Sequence, residues 1–300
     1  MKKFDAVFVG SGHNALVAAA YLARAGQSVL VLERNDRPGG LVRTDELTLP
    51  GFKHDTYSAA HPLFLTGAAY AELGPELEER GLRYLQPQYP TGVSLADGRT
   101  AIFSRDVDEQ VGECERLAPG DGAAFGAMMQ EFGAHAGDVF ALFSMDLASD
   151  DARKIIRKLM VSPQGPGYTD FAADFFTTAR DVLEGRFESD VFQAMVAPWV
   201  MHLGRTPDGA TGGFWVPLTL MALMGGGMAL PVGGSEMLAK ALVGELEDPR
   251  GVAHQGLVVQ GLQDLLRSHA TTSSLCAARV CVSWVLPLSR LESRVACSSS

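Results

Sequence analysis

Residues 4–40 constrain this chain more than any other stretch; they read FDAVFVGSGHNALVAAAYLARAGQSVLVLERNDRPGG. A short apolar run over residues 6–9 meets Gly10-Ser11-Gly12-His13-Asn14-Ala15. An apolar helical pattern then continues to Ala25, and a second apolar run over residues 29–32 ends on Glu33. The order is strand, glycine turn, helix, strand, acid, which commits the opening of the chain to a βαβ unit within an α/β fold.

Each part has a physical task if such a unit holds a dinucleotide. Gly10 allows a tight turn out of the strand. Gly12 lets the backbone approach a pyrophosphate, whose negative charge is received by the free N–H groups at the start of the helix. Ala15 takes the third small position, where the helix must lie close on the strand. Glu33 lies 21 residues beyond Gly12, near the offset at which an acid ending the second strand accepts hydrogen bonds from ribose hydroxyls. A carboxylate there repels a 2′-phosphate and so disfavours NADP. A chain with 33 glycines produces such spacings by chance. Here the strand before, the helix after and the acid at the right distance supply the required context. The alternative is a glycine-rich turn that binds nothing.

Charge narrows the partners. With 35 acidic against 25 basic residues the net charge is −10, which repels nucleic acid and anionic membranes. Hydrophobic residues make up 47% of the chain and charged ones 20%, with mean hydropathy +0.08. That describes a folded protein on the apolar side of average, large enough for two domains. Lys2-Lys3 does not open a signal peptide, because Asp5 and the glycine turn interrupt the apolar run; the expected location is the cytoplasm. Only Cys114 precedes residue 276, so no disulfide framework exists, there is no C-x-x-C, and Cys276, Cys281 and Cys297 lack the histidine pair of a zinc site.

The loop after Glu33 indicates which dinucleotide. Arg34 and Arg37-Pro38-Gly39-Gly40-Leu41 resemble the second glycine pair of FAD-binding oxidoreductases related to carotenoid desaturases and amine oxidases. The string from Gly12-His13-Asn14 to Gly40, continued by Pro50-Gly51-Phe52-Lys53-His54-Asp55-Thr56-Tyr57-Ser58-Ala59-Ala60-His61-Pro62, is similar to the phytoene-dehydrogenase-like branch called pyridine nucleotide-disulfide oxidoreductase domain-containing protein 2. A later segment, Pro231-Val232-Gly233-Gly234-Ser235-Glu236, resembles the turn that opens a helix leading back into the FAD domain, with Ser235 as its cap.

The resemblance implies an FAD-type Rossmann core of three layers (ββα) with an inserted domain of mixed sheet plus helices. Residues 1–90 would be the first part of the FAD domain, 91–230 the substrate domain, 231–250 the return segment and 251–300 an atypical tail. It implies FAD, held by Gly10, Ser11, Gly12, His13, Asn14, Ala15, Glu33, Arg34, Gly39, Gly40 and Leu41. It further implies hydride transfer from an apolar organic substrate to flavin, with the electron acceptor unnamed. Tyr57 and His61 become candidates for lining the site, although a structural, hydrogen-bonded role suits His54 and His61 better. No residue stands out as a catalytic acid or base. A nicotinamide-dependent dehydrogenase and a non-catalytic dinucleotide-binding remnant stay open, as do a second copy of the chain and peripheral membrane contact as partners.

Between the motifs, residues 91–103 read as a hairpin around Asp97-Gly98. Helices follow, with Asp121 as a capping acid after Pro119-Gly120 and a linker at Ser162-Pro163-Gln164-Gly165-Pro166-Gly167. A further helix starts at Ser189-Asp190 and runs to about His202. Residues 209–235 carry no charge, but eight glycines and two prolines interrupt them up to residue 234. They read as a buried helix over residues 214–224 followed by a glycine loop, not as a membrane span. After Gly261 no glycine occurs, while serines, arginines and three of the four cysteines crowd in. This change of character points to a shifted reading frame near residue 250 and to loss of about the last two-fifths of the chain; a divergent but genuine segment is the alternative. Sequencing the coding region separates them.

Overall fold

A computed structural model describes residues 4–161, 169–202, 204–247 and 259–261. The expected linker at residues 162–167 and the tail beyond residue 261 lie outside the described residues. In chain order the first elements are β1 (Ala6–Val9), α1 (His13–Arg24), β2 (Val29–Glu33), β3 (Thr44–Asp45), β4 (His54–Asp55), α2 (Pro62–Leu65), α3 (Ala68–Glu79) and β5 (Tyr84–Leu85). Next come β6 (Thr91–Ser94), β7 (Thr100–Phe103), α4 (Val107–Leu117), α5 (Asp121–Leu142), α6 (Asp150–Met160), α7 (Asp170–Phe176), α8 (Ala179–Arg186) and α9 (Asp190–His202). The last are α10 (Gly212–Gly225), β8 (Leu230–Pro231), α11 (Glu236–Glu247) and β9 (Val259–Gly261). Two compact units result, one drawn from residues 4–60, 72–84 and 230–261, the other from residues 61–71 and 85–229.

The first unit is the α/β part. β1 pairs in parallel with β2, Ala6 opposite Val29 and Val9 opposite Leu32, and β2 pairs in parallel with β9. The residues of β9 are assigned no strand from sequence; their pairing with β2 is what makes them one. Parallel strands need a crossover, and α1 provides it. Leu16, Ala19 and Ala20 form its buried face, and α11 packs on α1, burying Leu238, Ala239, Ala241 and Leu242. Each fully buried leucine contributes about 1.5–3 kcal/mol. Charged groups surround this helix pair: Arg24 meets Glu76 at 2.7 Å, and Arg80 meets Glu245 at 2.9 Å. An antiparallel ribbon, β3 with β4, completes the unit.

The second unit is mostly helical. Its ribbon, β6 with β7, matches Thr91 to Phe103 and turns at Gly98, whose φ of 88° suits glycine. α10 lies among α5, α7, α8 and α9. Its N-terminal glycines allow this, because a Cβ on Gly212 would stand 2.8 Å from Ala179 N and one on Gly213 2.8 Å from Asp174 O. Aromatic rings fill the interior: Phe125 meets Phe103 and Phe192 edge-on, and Phe214 meets Phe171 and Phe175. α10 spans the helix expected over residues 214–224, and α9 starts and ends where the sequence placed it.

One capping assignment is corrected. Asp121 does not cap α5, whose N-cap is Gly120 in the left-handed region at φ 95°. Its buried carboxylate instead accepts from Glu188 N at 2.9 Å and Ser189 N at 3.0 Å, holding the start of α9, while Ser189 Oγ accepts from Phe192 N. Among the described residues no helix is long and apolar enough to cross a membrane.

Candidate dinucleotide site

The turn after β1 begins with Gly10 at φ 99°, and its N–H donates to Leu32 O at 2.6 Å, tying it to β2. Ser11 is fully buried. Gly12 is the N-cap of α1, without a side-chain cap, at φ −61° and ψ 155°. His13, Asn14 and Ala15 form the first turn of α1, where N–H groups have no partner inside the helix. A Cβ added at Gly10 or at Gly12 would meet no atom within 4 Å. The space beside Gly10 and Gly12 is thus unfilled by other parts of the described chain. Burial holds the pKa of the His13 imidazole below its ordinary value, so it is neutral at pH 7.

Glu33, at the end of β2, is buried and turned into this crook. Its Oε2 accepts from Ser11 N at 2.9 Å and from Ser11 Oγ at 2.5 Å. Its Oε1 accepts from Asn35 N at 2.9 Å and Asn35 Nδ2 at 2.8 Å. Burial pushes the carboxyl pKa up, but these bonds, with help from the Arg34 N–H, outweigh it and hold the group below its ordinary value. Glu33 is therefore charged at neutral pH.

The second glycine pair closes the crook from beside. Gly39 N donates to Ser11 O at 2.9 Å, and Gly12 and Gly39 form a parallel bridge. Gly39 has φ 123° and would set a Cβ 2.9 Å from Val42 O and 3.0 Å from Ala239 Cβ; a Cβ on Gly40 would lie 3.1 Å from Gly12 Cα. The structure therefore brings Gly10–Ala15, Glu33, Gly39 and Gly40 together. Arg34 and Leu41 sit at exposed positions on the same loop, Leu41 at 59%.

Sequence reasoning missed what holds this loop. Asp45 accepts from the Arg37 guanidinium, from Arg43 Nε at 2.6 Å and from Thr56 Oγ1 at 2.7 Å. Asp55 Oδ1 accepts from Thr44 Oγ1 and from Ser235 N, both at 2.7 Å, while Thr44 Oγ1 accepts from Glu236 N at 3.1 Å. Ser235 Oγ donates to Ser58 O. The later glycine loop is thereby docked on the β3–β4 ribbon. Gly234, at φ 97°, presses against Thr44. Of the two histidines near the ribbon, His54 shares a hydrogen bond with Thr48 Oγ1 through its ring, and His61 is buried, its backbone N–H donating to Ala229 O.

An open, glycine-lined crook with uncapped N–H groups and a charged acid beside it suits a diphosphate flanked by a ribose. Residues 9–71 match the family of NAD(P)-binding Rossmann-like domains, in keeping with the βαβ unit of β1, α1 and β2. The kinship read from the glycine motifs, with phytoene-desaturase-like oxidoreductases, also holds. The chain is 33% identical over 132 residues to a subunit of the limonene dehydrogenase of Castellaniella defragrans, covering 44% of this chain and 23% of that protein. It is 36% identical over 130 residues to pyridine nucleotide-disulfide oxidoreductase domain-containing protein 2 of Rattus norvegicus, covering 41% and 22%. It is 33% identical over 118 residues to phytoene desaturase of Cercospora nicotianae, covering 38% and 18%. The matches thus span about a fifth of the length of these relatives.

Proposed function

We propose that the chain holds FAD in the crook and belongs to a dehydrogenase that removes hydride from an apolar organic substrate. The observation that carries this reading is the pairing of open space over Gly10 and Gly12 with the charged, inward-turned carboxylate of Glu33. The N–H groups of the first turn of α1 would receive the diphosphate, and Glu33 would accept from the adenosine ribose. Bound flavin would supply the acceptor for hydride. The chain's own part is to orient: Asp45, Thr44 and Asp55 fix the loop carrying Gly39 and Gly40, and the negative charge of Glu33 discriminates against a 2′-phosphate. The apolar helices of the second unit are suited to a lipophilic substrate, as the names limonene dehydrogenase and phytoene desaturase suggest for relatives.

The location proposed is the cytoplasm. Cys114 fits a reducing compartment: it is a buried free thiol whose pKa burial pushes up to about 12. A nicotinamide cofactor is the second reading, favoured by the family that residues 9–71 match. Purification followed by a visible spectrum, with and without added FAD, tests the proposal. Flavin bands that survive gel filtration are expected. Colourless protein that takes up no FAD but binds NADH overturns it in favour of the second reading.

A further inference from the structure

Ser11 and Asn35 donate four hydrogen bonds to Glu33 and the Arg34 N–H adds to them, so protein atoms already fill the complement that an ionised carboxylate accepts. A sugar hydroxyl can reach this carboxylate only in exchange for a donor already there. The donors differ in how readily they can leave. Ser11 N and Asn35 N belong to the backbone, and the turn at Ser11 is pinned by Gly10 N on Leu32 O and Gly39 N on Ser11 O. The Ser11 hydroxyl is fully buried, so turning it away would strand a hydroxyl without water. Asn35 is exposed, and rotation about two side-chain bonds delivers its carboxamide to solvent.

We propose that the Asn35 carboxamide is an exchangeable cover on Glu33 Oε1, displaced when a ribose hydroxyl donates to that oxygen, while Ser11 keeps Oε2 and positions the carboxylate. The inference rests on the dinucleotide reading above and adds which oxygen meets the sugar and what competes for it. The ligand class is an adenosine diphosphate with free ribose hydroxyls. Asn35 thus weakens binding, in contrast to the role its place beside the crook suggests.

The test is to titrate the full chain, Asn35→Ala, Asn35→Leu and Ser11→Ala with FAD, ADP and 2′,3′-dideoxy-ADP, by flavin fluorescence and calorimetry. Thermal unfolding without ligand is recorded alongside. Losing one competing hydrogen bond should tighten FAD and ADP binding about fivefold in both Asn35 variants and leave dideoxy-ADP binding unchanged. Ser11→Ala should weaken ADP binding and lower the unfolding temperature. Weaker or unaltered ADP binding in the Asn35 variants overturns the cover, since Asn35 would then be a ligand contact or a bystander. A wild-type chain that takes up neither FAD nor ADP overturns the dinucleotide reading itself, a result distinct from wild-type binding without any gain in the variants.

Discussion

Gly12 has no reason within the fold to be glycine, and this makes Gly12→Ala an informative perturbation. Its φ of −61° and ψ of 155° are open to any residue, and a Cβ there would meet nothing within 4 Å. At an N-cap, alanine is worse than glycine by about 0.5–1 kcal/mol. An alanine in a compatible conformation also restricts the unfolded chain, which contributes about 0.4–1 kcal/mol to stability. These effects nearly cancel, so the urea midpoint should move by less than about 0.5 kcal/mol equivalent. Binding should respond differently. The added methyl stands where a diphosphate approaches the first turn of α1, and holding it off removes at least two charge-assisted hydrogen bonds worth about 1.5 kcal/mol each. Affinity for FAD should fall by about 100-fold. Paired urea melts and flavin fluorescence titrations of both proteins measure the two effects separately. A Gly12→Ala protein that binds FAD like wild type would refute the placement of the diphosphate; one that no longer folds would refute the geometry of the turn.

Three further substitutions probe the same physics. Gly39→Ala combines φ 123° with contacts of 2.9 Å to Val42 O and 3.0 Å to Ala239 Cβ; backbone strain and overpacking together should destabilise the first unit by about 2–4 kcal/mol in urea unfolding. Glu33→Gln should remove an acid-side pH dependence. The carboxyl pKa is lowered on folding from 4.5, so its stabilisation is complete above about pH 4.5 and is lost as pH falls through the folded value. Urea melts between pH 3 and pH 6 should show that slope in wild type and lack it in the variant. Thr211→Gly should stabilise the second unit by about 1 kcal/mol. Thr211 sits at φ 70° with its Oγ1 buried and unpartnered among the described residues, and a rise in unfolding temperature would show the relief.

The crook was legible in the sequence because its parts are local or fall at a fixed offset. A turn of glycines between an apolar run and a helical pattern can be read without knowing the rest of the fold, and Glu33 follows from the length of one βαβ unit. The ribbon at residues 91–103 and α9 were legible for the same reason: each carries its own turn or cap. Asp121 was misread by that logic. An acid after Pro-Gly normally caps the helix it begins, but here its carboxylate is drawn to the N–H groups of Glu188 and Ser189, nearly seventy residues away. β9 was missed because three residues without alternation or turn signals give no strand pattern; only pairing with β2 makes them one.

The polar clamp on the glycine loop was illegible on the same physical grounds. Thr44, Asp45 and Asp55 look like ordinary turn formers, and Ser235 like a helix cap, until the fold sets residue 55 against residue 235. That tertiary contact also separates the two glycine pairs. Gly39 and Gly40 must be small because Ala239, Val42 and Gly12 stand against them. Their requirement comes from packing and would persist in a protein that bound nothing. Gly12 faces open space, so its requirement comes from outside the chain. A sequence pattern records all of these as glycine, whereas substitution should separate them: a methyl at Gly39 acts on stability with or without FAD, and one at Gly12 acts only when a ligand is offered.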